Sequence, residues 1–230
     1  MSHLNRTNIE WCTRTFNPVT GCKHNCPYCY ARKIAMRFTG HFKPEFHPDR
    51  LDAPARAKKP QRIFVGSMCD LFGDWVPDEW IEQVLRACEA APQHTYYFLT
   101  KNPKRYKELS GTTLTRVMVL SEPHNWWFGR SLTGETKPTD RSRLIATRPS
   151  VGLFPTFISM EPMLGPMLIN PHLSPDWVIV GAQTNPTVMP ERKWVLDIRE
   201  QCRALEIPLF EKNSLAPLDL PGGLIQEIPQ

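Results

Sequence analysis

The sequence predicts an α/β protein of parallel strands, folded as a partial or nearly complete (β/α) TIM-like barrel. Short apolar runs recur along the 230 residues, and segments with helical periodicity or loops separate them. Several runs are continuous in Ile, Val, Phe and Trp, which is typical of parallel strands buried on both faces. Strand, helix and strand in repeated succession, with right-handed crossovers, build a barrel of this kind.

Each apolar run predicts one strand. In chain order, the strands are expected near Thr15–Val19, Arg62–Val65, Thr95–Leu99, Trp126–Phe128, Thr156–Met160, Trp177–Val180 and Pro208–Phe210. Polar residues follow most of these runs, so the sequence also predicts a set of polar strand ends.

Apolar residues at helical spacing predict the helices between the strands. The first helix begins just after residue 29, and its apolar face consists of Ala31, Ile34, Ala35 and Phe38. A second helix is expected over Asp78–Ala90 and a third over Arg192–Leu205. We expect a single domain over 1–230, with the loosely patterned segment 129–155 as a lid or insertion.

Composition limits the class of protein. Hydrophobic residues make up 41% of the chain, which indicates a globular protein. No stretch approaches the roughly 20 apolar residues of a membrane span, and Met1–Arg6 has no apolar signal-peptide region. The seven cysteines are odd in number, so a reducing compartment, the cytoplasm, is expected rather than a disulfide framework. A net charge of +5 permits an anionic partner without requiring one.

Cys22, Cys26 and Cys29 form the most informative motif, Cys-x-x-x-Cys-x-x-Cys. Three thiolates do not close a tetrahedral zinc site, which takes four protein ligands. They can hold three corners of a cubane iron–sulfur cluster and leave one iron open. Zinc with His24 or a remote histidine as fourth ligand is the alternative.

With Tyr28 before the last cysteine, this motif resembles that of the radical S-adenosylmethionine (SAM) enzymes. The resemblance implies a [4Fe–4S] cluster on Cys22, Cys26 and Cys29, with SAM bound at the open iron. It also implies reductive cleavage of SAM to a 5′-deoxyadenosyl radical, which abstracts hydrogen from a substrate. An electron donor such as flavodoxin or ferredoxin is the implied partner.

Further segments, in order, resemble the phage and prokaryotic radical SAM family of unknown function that is related to spore photoproduct lyase. This resemblance covers about residues 8 to 213, and its segments are Asn17–Cys22, Ser67–Phe72, Leu99–Lys101, Ser159–Pro162 and Asp197–Cys202. The chain departs from the family pattern at Cys69, where Ser is common. It departs again at Gly181-Ala182-Gln183, where Gly-Gly-Glu is common and a carboxylate is therefore missing.

The active site of an α/β barrel is built at the carboxyl ends of its strands. By this rule and the resemblance, the residues expected to bind SAM are Tyr28, Gly66, Ser67, Asp70, Thr100, Lys101, Ser131, Glu161 and Gln183. Glu161 is also a candidate to act on the substrate, and Cys69 a candidate to return a hydrogen atom to the product radical. For any one strand end, a loop polar residue or helix cap is the plainer interpretation.

The kinship with a DNA-repair lyase implies a nucleic-acid base or nucleotide as substrate. The basic residues that could contact phosphates are Arg32, Lys33, Arg37, Arg141, Arg143 and Arg148. The alternative function is a non-catalytic zinc- or cluster-bearing nucleic-acid-binding protein, which would bind no SAM. A small electron carrier is a third interpretation, although a carrier needs no ring of polar strand ends.

Overall fold

The structure, a computed structural model, describes residues 4–109, 125–134 and 144–229, with the backbone alone at 144 and 145. Arg141 and Arg143, both predicted phosphate contacts, lie outside the described residues. The chain forms two compact units. The first comprises Met1–Phe128 with Ser150–Pro155, and the second comprises Gly129–Pro149 with Thr156–Gln230.

The first unit alternates short strands with helices. Its strands are β1 (Asn5–Arg6), β2 (Arg14–Phe16), β3 (Val19–Thr20), β4 (Glu45–Phe46), β5 (Arg62–Val65), β6 (Thr95–Thr100) and the start of β7 (Trp126–Ser131). Its α-helices are α1 (Tyr30–Phe38), α2 (Ala53–Arg56), α3 (Asp78–Glu89) and α4 (Lys104–Leu109), and a 3₁₀ turn spans Pro48–Arg50.

Parallel pairing dominates the first unit. β2, β5 and β6 run side by side in parallel, with Phe16 opposite Val65 and Val65 opposite Phe98, while β1 pairs antiparallel with β2. Phe98 is buried and stacks on Phe128 at 5.1 Å between ring centroids. Since parallel strands end at the same edge, the segments after β2, β5 and β6 emerge together.

The second unit has the same character. Its strands are β8 (Leu144–Ala146), β9 (Thr156–Met160), β10 (Met167–Ile169), β11 (Trp177–Val180), β12 (Gln183–Thr184), β13 (Thr187–Val188) and β14 (Leu209–Glu211). It has one described α-helix, α5 (Arg192–Ala204), and a 3₁₀ helix over Asn213–Leu218. β9, β11 and β14 are parallel and fully buried, and the apolar stripe of α5 contributes Val195, Ile198 and Cys202 to the core.

The fold class agrees with the sequence: a mostly parallel sheet with helices. No pairing among the described strands closes a barrel. Three strands have the predicted bounds, Arg62–Val65, Thr156–Met160 and Trp177–Val180. The first predicted strand is instead divided at Asn17-Pro18. The single domain and the lid at 129–155 stay predictions.

One helix differs from expectation. Of the predicted apolar face of α1, Ala31 is buried, but Ile34 is 43% and Phe38 77% exposed. The apolar face that the sequence predicts is therefore largely exposed at these two residues. Among the helices of the described residues, none is long and apolar enough to cross a membrane.

Candidate functional site

The loop that carries the three cysteines is anchored at Gly21. Gly21 donates its N–H to the Met68 carbonyl at 3.0 Å and has a φ of 85°. A Cβ at this position would lie 2.0 Å from the Lys43 carbonyl oxygen. Only glycine therefore allows β3 to pass this closely between two backbone segments and lead into Cys22.

The other end of the loop is anchored by Cys29, which is the N-cap of α1. The Cys29 sulfur accepts the Arg32 N–H at 3.3 Å, and the Cys29 N–H donates to the Cys26 carbonyl at 3.2 Å. A thiolate here lies at the positive end of the helix dipole, which stabilises negative charge.

All three thiols are free and partly exposed. Burial, with the nearby Asp70, Cys26 and Cys29 and against the opposing backbone hydrogen bond from His24, raises the pKa of the Cys22 thiol to about 11. Three thiolates on one short loop need cationic charge to become stable, and the irons of a cluster would supply it. The donor set therefore fits a thiolate-ligated cluster. In the described part of the chain, no group of three or more His, Cys, Asp or Glu side chains is arranged for a single metal ion.

Asn17 connects the end of β2 to the segment that follows β5. Its amide donates to the Ser67 hydroxyl at 3.0 Å, and its oxygen accepts the Met68 N–H at 3.0 Å. Tyr30 of α1 donates its hydroxyl to the Ser67 carbonyl at 2.7 Å. This bonding fixes the Gly66–Ser67 segment beside the cysteine loop, and the SAM contact predicted for both residues stays a prediction.

Asp70, which is buried, forms four hydrogen bonds that join the cysteine loop to the strand ends. One carboxylate oxygen accepts the Thr100 hydroxyl at 2.6 Å and the Phe72 N–H at 3.1 Å. The other lies 2.7 Å from His24 Nε2 and accepts the Lys101 N–H at 2.9 Å. A carboxylate has about four acceptor positions, and all are used. The predicted contact of Asp70 with SAM would require one of these bonds to open.

His24 is therefore attached to the strand ends from within the cysteine loop. Its ring also meets Trp75 edge-on at 4.8 Å between centroids. Lys101, which follows β6, donates from Nζ to the Tyr28 hydroxyl at 3.3 Å and lies 5.5 Å from the ring centroid. Tyr28 and Lys101 are thus brought together as the predicted set requires, whereas Thr100 is only 2% exposed.

Cys69 lies in the segment after β5, beside the cysteine loop. It pairs with Gly21 through an isolated β-bridge and is half-buried. Burial, with Asp70 and Cys22 nearby, raises its pKa well above the usual range. The predicted exchange of a hydrogen atom at Cys69 is not tested by this geometry.

The second unit has its own polar group at its strand ends. Glu161, after β9, forms an ion pair with Lys212 at 2.8 Å and accepts the Ser159 hydroxyl at 3.1 Å. The neighbouring Glu211 carboxylate, which is fully buried, is bound by Arg199 through two bonds of 2.6 Å.

The remaining predicted residues are less connected. Gln183, on the short β12, donates to the Pro186 carbonyl at 2.8 Å, and Ser131 ends β7 half-buried. Arg148, a predicted phosphate contact, lies 3.9 Å from Asp176.

Asn17 was missed as an individual site residue. An asparagine before a proline in an apolar run could have drawn attention to this position. Its hydrogen-bond partners, however, are about fifty residues away in sequence. Trp75 was missed as well. No periodicity marks a contact with a loop so distant along the chain.

Fold and site together define a parallel α/β protein that displays three free thiols on the loop after an early strand. The chain belongs to the family described as "Protein of unknown function (DUF5131)", which matches residues 6–214. A search of curated proteins gives no match.

Solved structures of spore photoproduct lyase share the fold. The structure of that lyase complexed with dinucleoside spore photoproduct has a TM-score of 0.51 and 13% sequence identity, over 90% of this chain and 57% of that one. A variant of the lyase with bound AdoMet and dinucleoside spore photoproduct has a TM-score of 0.50 and 12% identity over the same shares. The chain thus spans little more than half the length of these lyase chains, and at such identity the likeness shows the fold alone.

Proposed function

We propose that the protein is a radical SAM enzyme that holds a [4Fe–4S] cluster through Cys22, Cys26 and Cys29. The observation that carries this proposal is the loop itself: three free thiols between β3 and α1, attached to the ends of three parallel strands. When bound, the cluster and SAM supply one-electron cleavage to a 5′-deoxyadenosyl radical, which abstracts hydrogen from the substrate. The fold shared with spore photoproduct lyase supports the proposal.

The chain's own residues place and shield the reacting groups. Asn17 and Asp70 fix the segment after β5, and Asp70 also holds His24 in the cysteine loop. The Cys29 sulfur is oriented by the Arg32 N–H. Preorganised placement of this kind leaves little to reorganise during the reaction.

The same placement supports part of the proposed set of SAM contacts. Tyr28, Gly66, Ser67 and Lys101 stand on the loop or on the segments beside it, and we assign the adenine, amino and carboxylate contacts to this group. Ser131, Glu161 and Gln183 belong to the second unit, and their SAM contacts remain proposals on the resemblance alone.

The substrate is proposed to be a nucleic-acid base or nucleotide. The net charge of +5 is compatible with a phosphate-bearing molecule, and the lyase of similar fold has been solved with a dinucleoside.

Cys69 is proposed to return a hydrogen atom to the product radical, which predicts that Cys69→Ala changes the distribution of products. An unchanged distribution would remove Cys69 from the mechanism.

Anaerobic reconstitution tests the proposal. The protein is loaded with iron and sulfide, reduced with dithionite and given SAM, and 5′-deoxyadenosine is measured by mass spectrometry. We expect product from the parent and from Cys12→Ala, a buried cysteine outside the motif, and none from Cys26→Ala. A protein that binds one zinc, no iron and no SAM, with salt-dependent affinity for nucleic acid, would instead be the binding protein of the alternative interpretation.

A further inference from the structure

The exposed face of α1 is unusual for a helix next to a cysteine loop. Among the described residues, the large hydrophobic side chains that remain exposed include four on this nine-residue helix: Tyr30, Ile34, Met36 and Phe38, at 46%, 43%, 51% and 77%. Ala31 alone is buried. Tyr30, Ile34 and Phe38 follow one another at a spacing of four residues and form one apolar stripe, while Met36 lies apart from it. An exposed apolar stripe of this kind marks an interaction site.

The charge of the same helix has one sign. Lys33 and Arg37 are exposed, Arg32 is half-buried against the Phe42 ring, and α1 contains no carboxylate. At 100° per residue, Lys33 and Arg37 lie between Met36 on one side and Tyr30 and Ile34 on the other. The face therefore combines apolar contact area with positive charge, and its complement is an acidic surface with apolar residues.

The exposed face of α1 lies close to the cysteine loop. Cys29 is the N-cap of α1, so the helix starts at a proposed cluster ligand. Nine residues at a rise of 1.5 Å give a length of about 13 Å. Any molecule that covers this face lies within one short helix of the cysteine loop.

We infer that this face of α1 is the docking site of an acidic one-electron carrier protein that reduces the cluster. The inference rests on the proposed function, since only a protein with a redox group needs such a carrier. Tyr, Met and Arg are enriched in protein interfaces, and a methionine adapts its shape to a partner.

Single-stranded nucleic acid fits the face less well. Bases stack on the flat faces of aromatic rings. Ile34 and Met36 offer none, and the Phe38 ring already carries the Arg37 guanidinium at 5.8 Å from its centroid.

Binding of a flavodoxin, used as the acidic carrier, tests the inference. Charge reversal K33E/R37E changes two exposed side chains of α1 and is expected to weaken flavodoxin binding about tenfold or more at low salt, and to reduce its salt dependence. I34S/M36S is expected to weaken binding without changing the salt dependence. The matched control is K58E/K59E, which reverses two exposed lysines elsewhere in the same unit and should leave binding unchanged.

The readouts separate this inference from the proposed function. Dithionite needs no docking site, so with SAM and no nucleic acid every variant should make 5′-deoxyadenosine with dithionite, while K33E/R37E should make it slowly with reduced flavodoxin. Failure of the parent with dithionite would refute the proposed function. Flavodoxin that does not bind the parent, or binds K33E/R37E as well as it binds the parent, would overturn the docking site. So would a loss confined to oligonucleotide binding, or to self-association of the chain.

Discussion

A single carboxylate connects the cysteine loop with two strand ends. Asp70 accepts four hydrogen bonds, from a hydroxyl, two backbone N–H groups and the ring of His24. Because the group is buried, each donor that loses its partner incurs a desolvation cost of about 1–3 kcal/mol. Asp70 thus contributes to the site by positioning the loop.

Replacement of Asp70 by Asn tests this role. The amide has one acceptor oxygen in place of two, so at least one backbone N–H, of Phe72 or Lys101, loses its acceptor. We expect the free energy of unfolding to fall by about 1–3 kcal/mol and the iron content after reconstitution to fall with it. Thermal unfolding and iron analysis measure both.

The matched control is Asp74→Asn, at a carboxylate that is 62% exposed and bonded to Asn102. Its effect on stability should stay within about 0.5 kcal/mol. Equal effects at the two positions would show that Asp70 has no special place in the loop.

Gly21 gives a second prediction at the scale of one residue. Gly21→Ala combines a positive φ with a Cβ 2.0 Å from a backbone oxygen, whereas Gly40→Ala has a φ of 74° and nothing within 4 Å. The change at Gly40 should cost about 1–2 kcal/mol, the strain of a left-handed residue. The change at Gly21 should cost more and lower iron retention, as measured by denaturation and iron analysis. Similar losses in both variants would contradict the close approach of Lys43.

At the scale of elements, the strands whose bounds the sequence predicts correctly are those buried on both faces. β5, β9 and β11 have the predicted bounds because a strand buried on both faces leaves a continuous apolar run. The strand expected at Thr15–Val19 is divided because Pro18 offers no N–H to a ladder, while the Asn17 side chain bonds to the segment after β5.

Helix α1 shows what an apolar pattern does not predict, which is whether the apolar residues are buried. Its apolar spacing is real, yet Ile34 and Phe38 are exposed, because periodicity identifies a face and not what covers it. The cysteine spacing was legible because one short loop contains all three residues. The bonds of Asp70 were not, since they join segments tens of residues apart.

The end of β14 provides a prediction about an element. Arg199 of α5 binds the buried Glu211 and also donates to the carbonyls of Pro221 and Gly223, while Glu211 accepts the Ile225 N–H. Glu211→Gln should lower the free energy of unfolding by about 1.5–3 kcal/mol, because it removes the charge from the buried end of the two hydrogen bonds to the partly exposed Arg199 guanidinium. Denaturant titration measures this.

The double variant R199M/E211L completes the test. It removes both charges and should recover part of the loss, since the backbone groups of residues 221–225 still lose their partners. A double variant that loses the sum of the losses of R199M alone and E211L alone would show that the two charges do not interact.

At the scale of the whole molecule, the reactivity of the cysteines distinguishes buried thiols from those of the cysteine loop. Burial raises the pKa of Cys202 to about 12 and that of Cys88 well above its usual range. A raised pKa lowers the thiolate fraction at pH 8, and the thiolate is the form that iodoacetamide alkylates. In the iron-free native protein we expect Cys26 and Cys29 to react, and Cys88 and Cys202 to react only after denaturation.

Iron loading should then protect Cys26 and Cys29 without changing the buried cysteines. Peptide mass spectrometry after alkylation of the iron-free, iron-loaded and denatured protein gives the three patterns. Identical patterns with and without iron would contradict ligation by Cys22, Cys26 and Cys29.

Cys29 has two separate tasks, since its sulfur is both a proposed ligand and the acceptor that caps α1. Serine caps helices well but is a poor ligand for iron. Cys29→Ser therefore yields a chain that keeps its helix start while it loses a corner of the cluster. Without an oxygen-sensitive cluster, such a chain could be handled in air. It would allow crystallisation and substrate-binding screens with a protein that keeps the fold but has no activity.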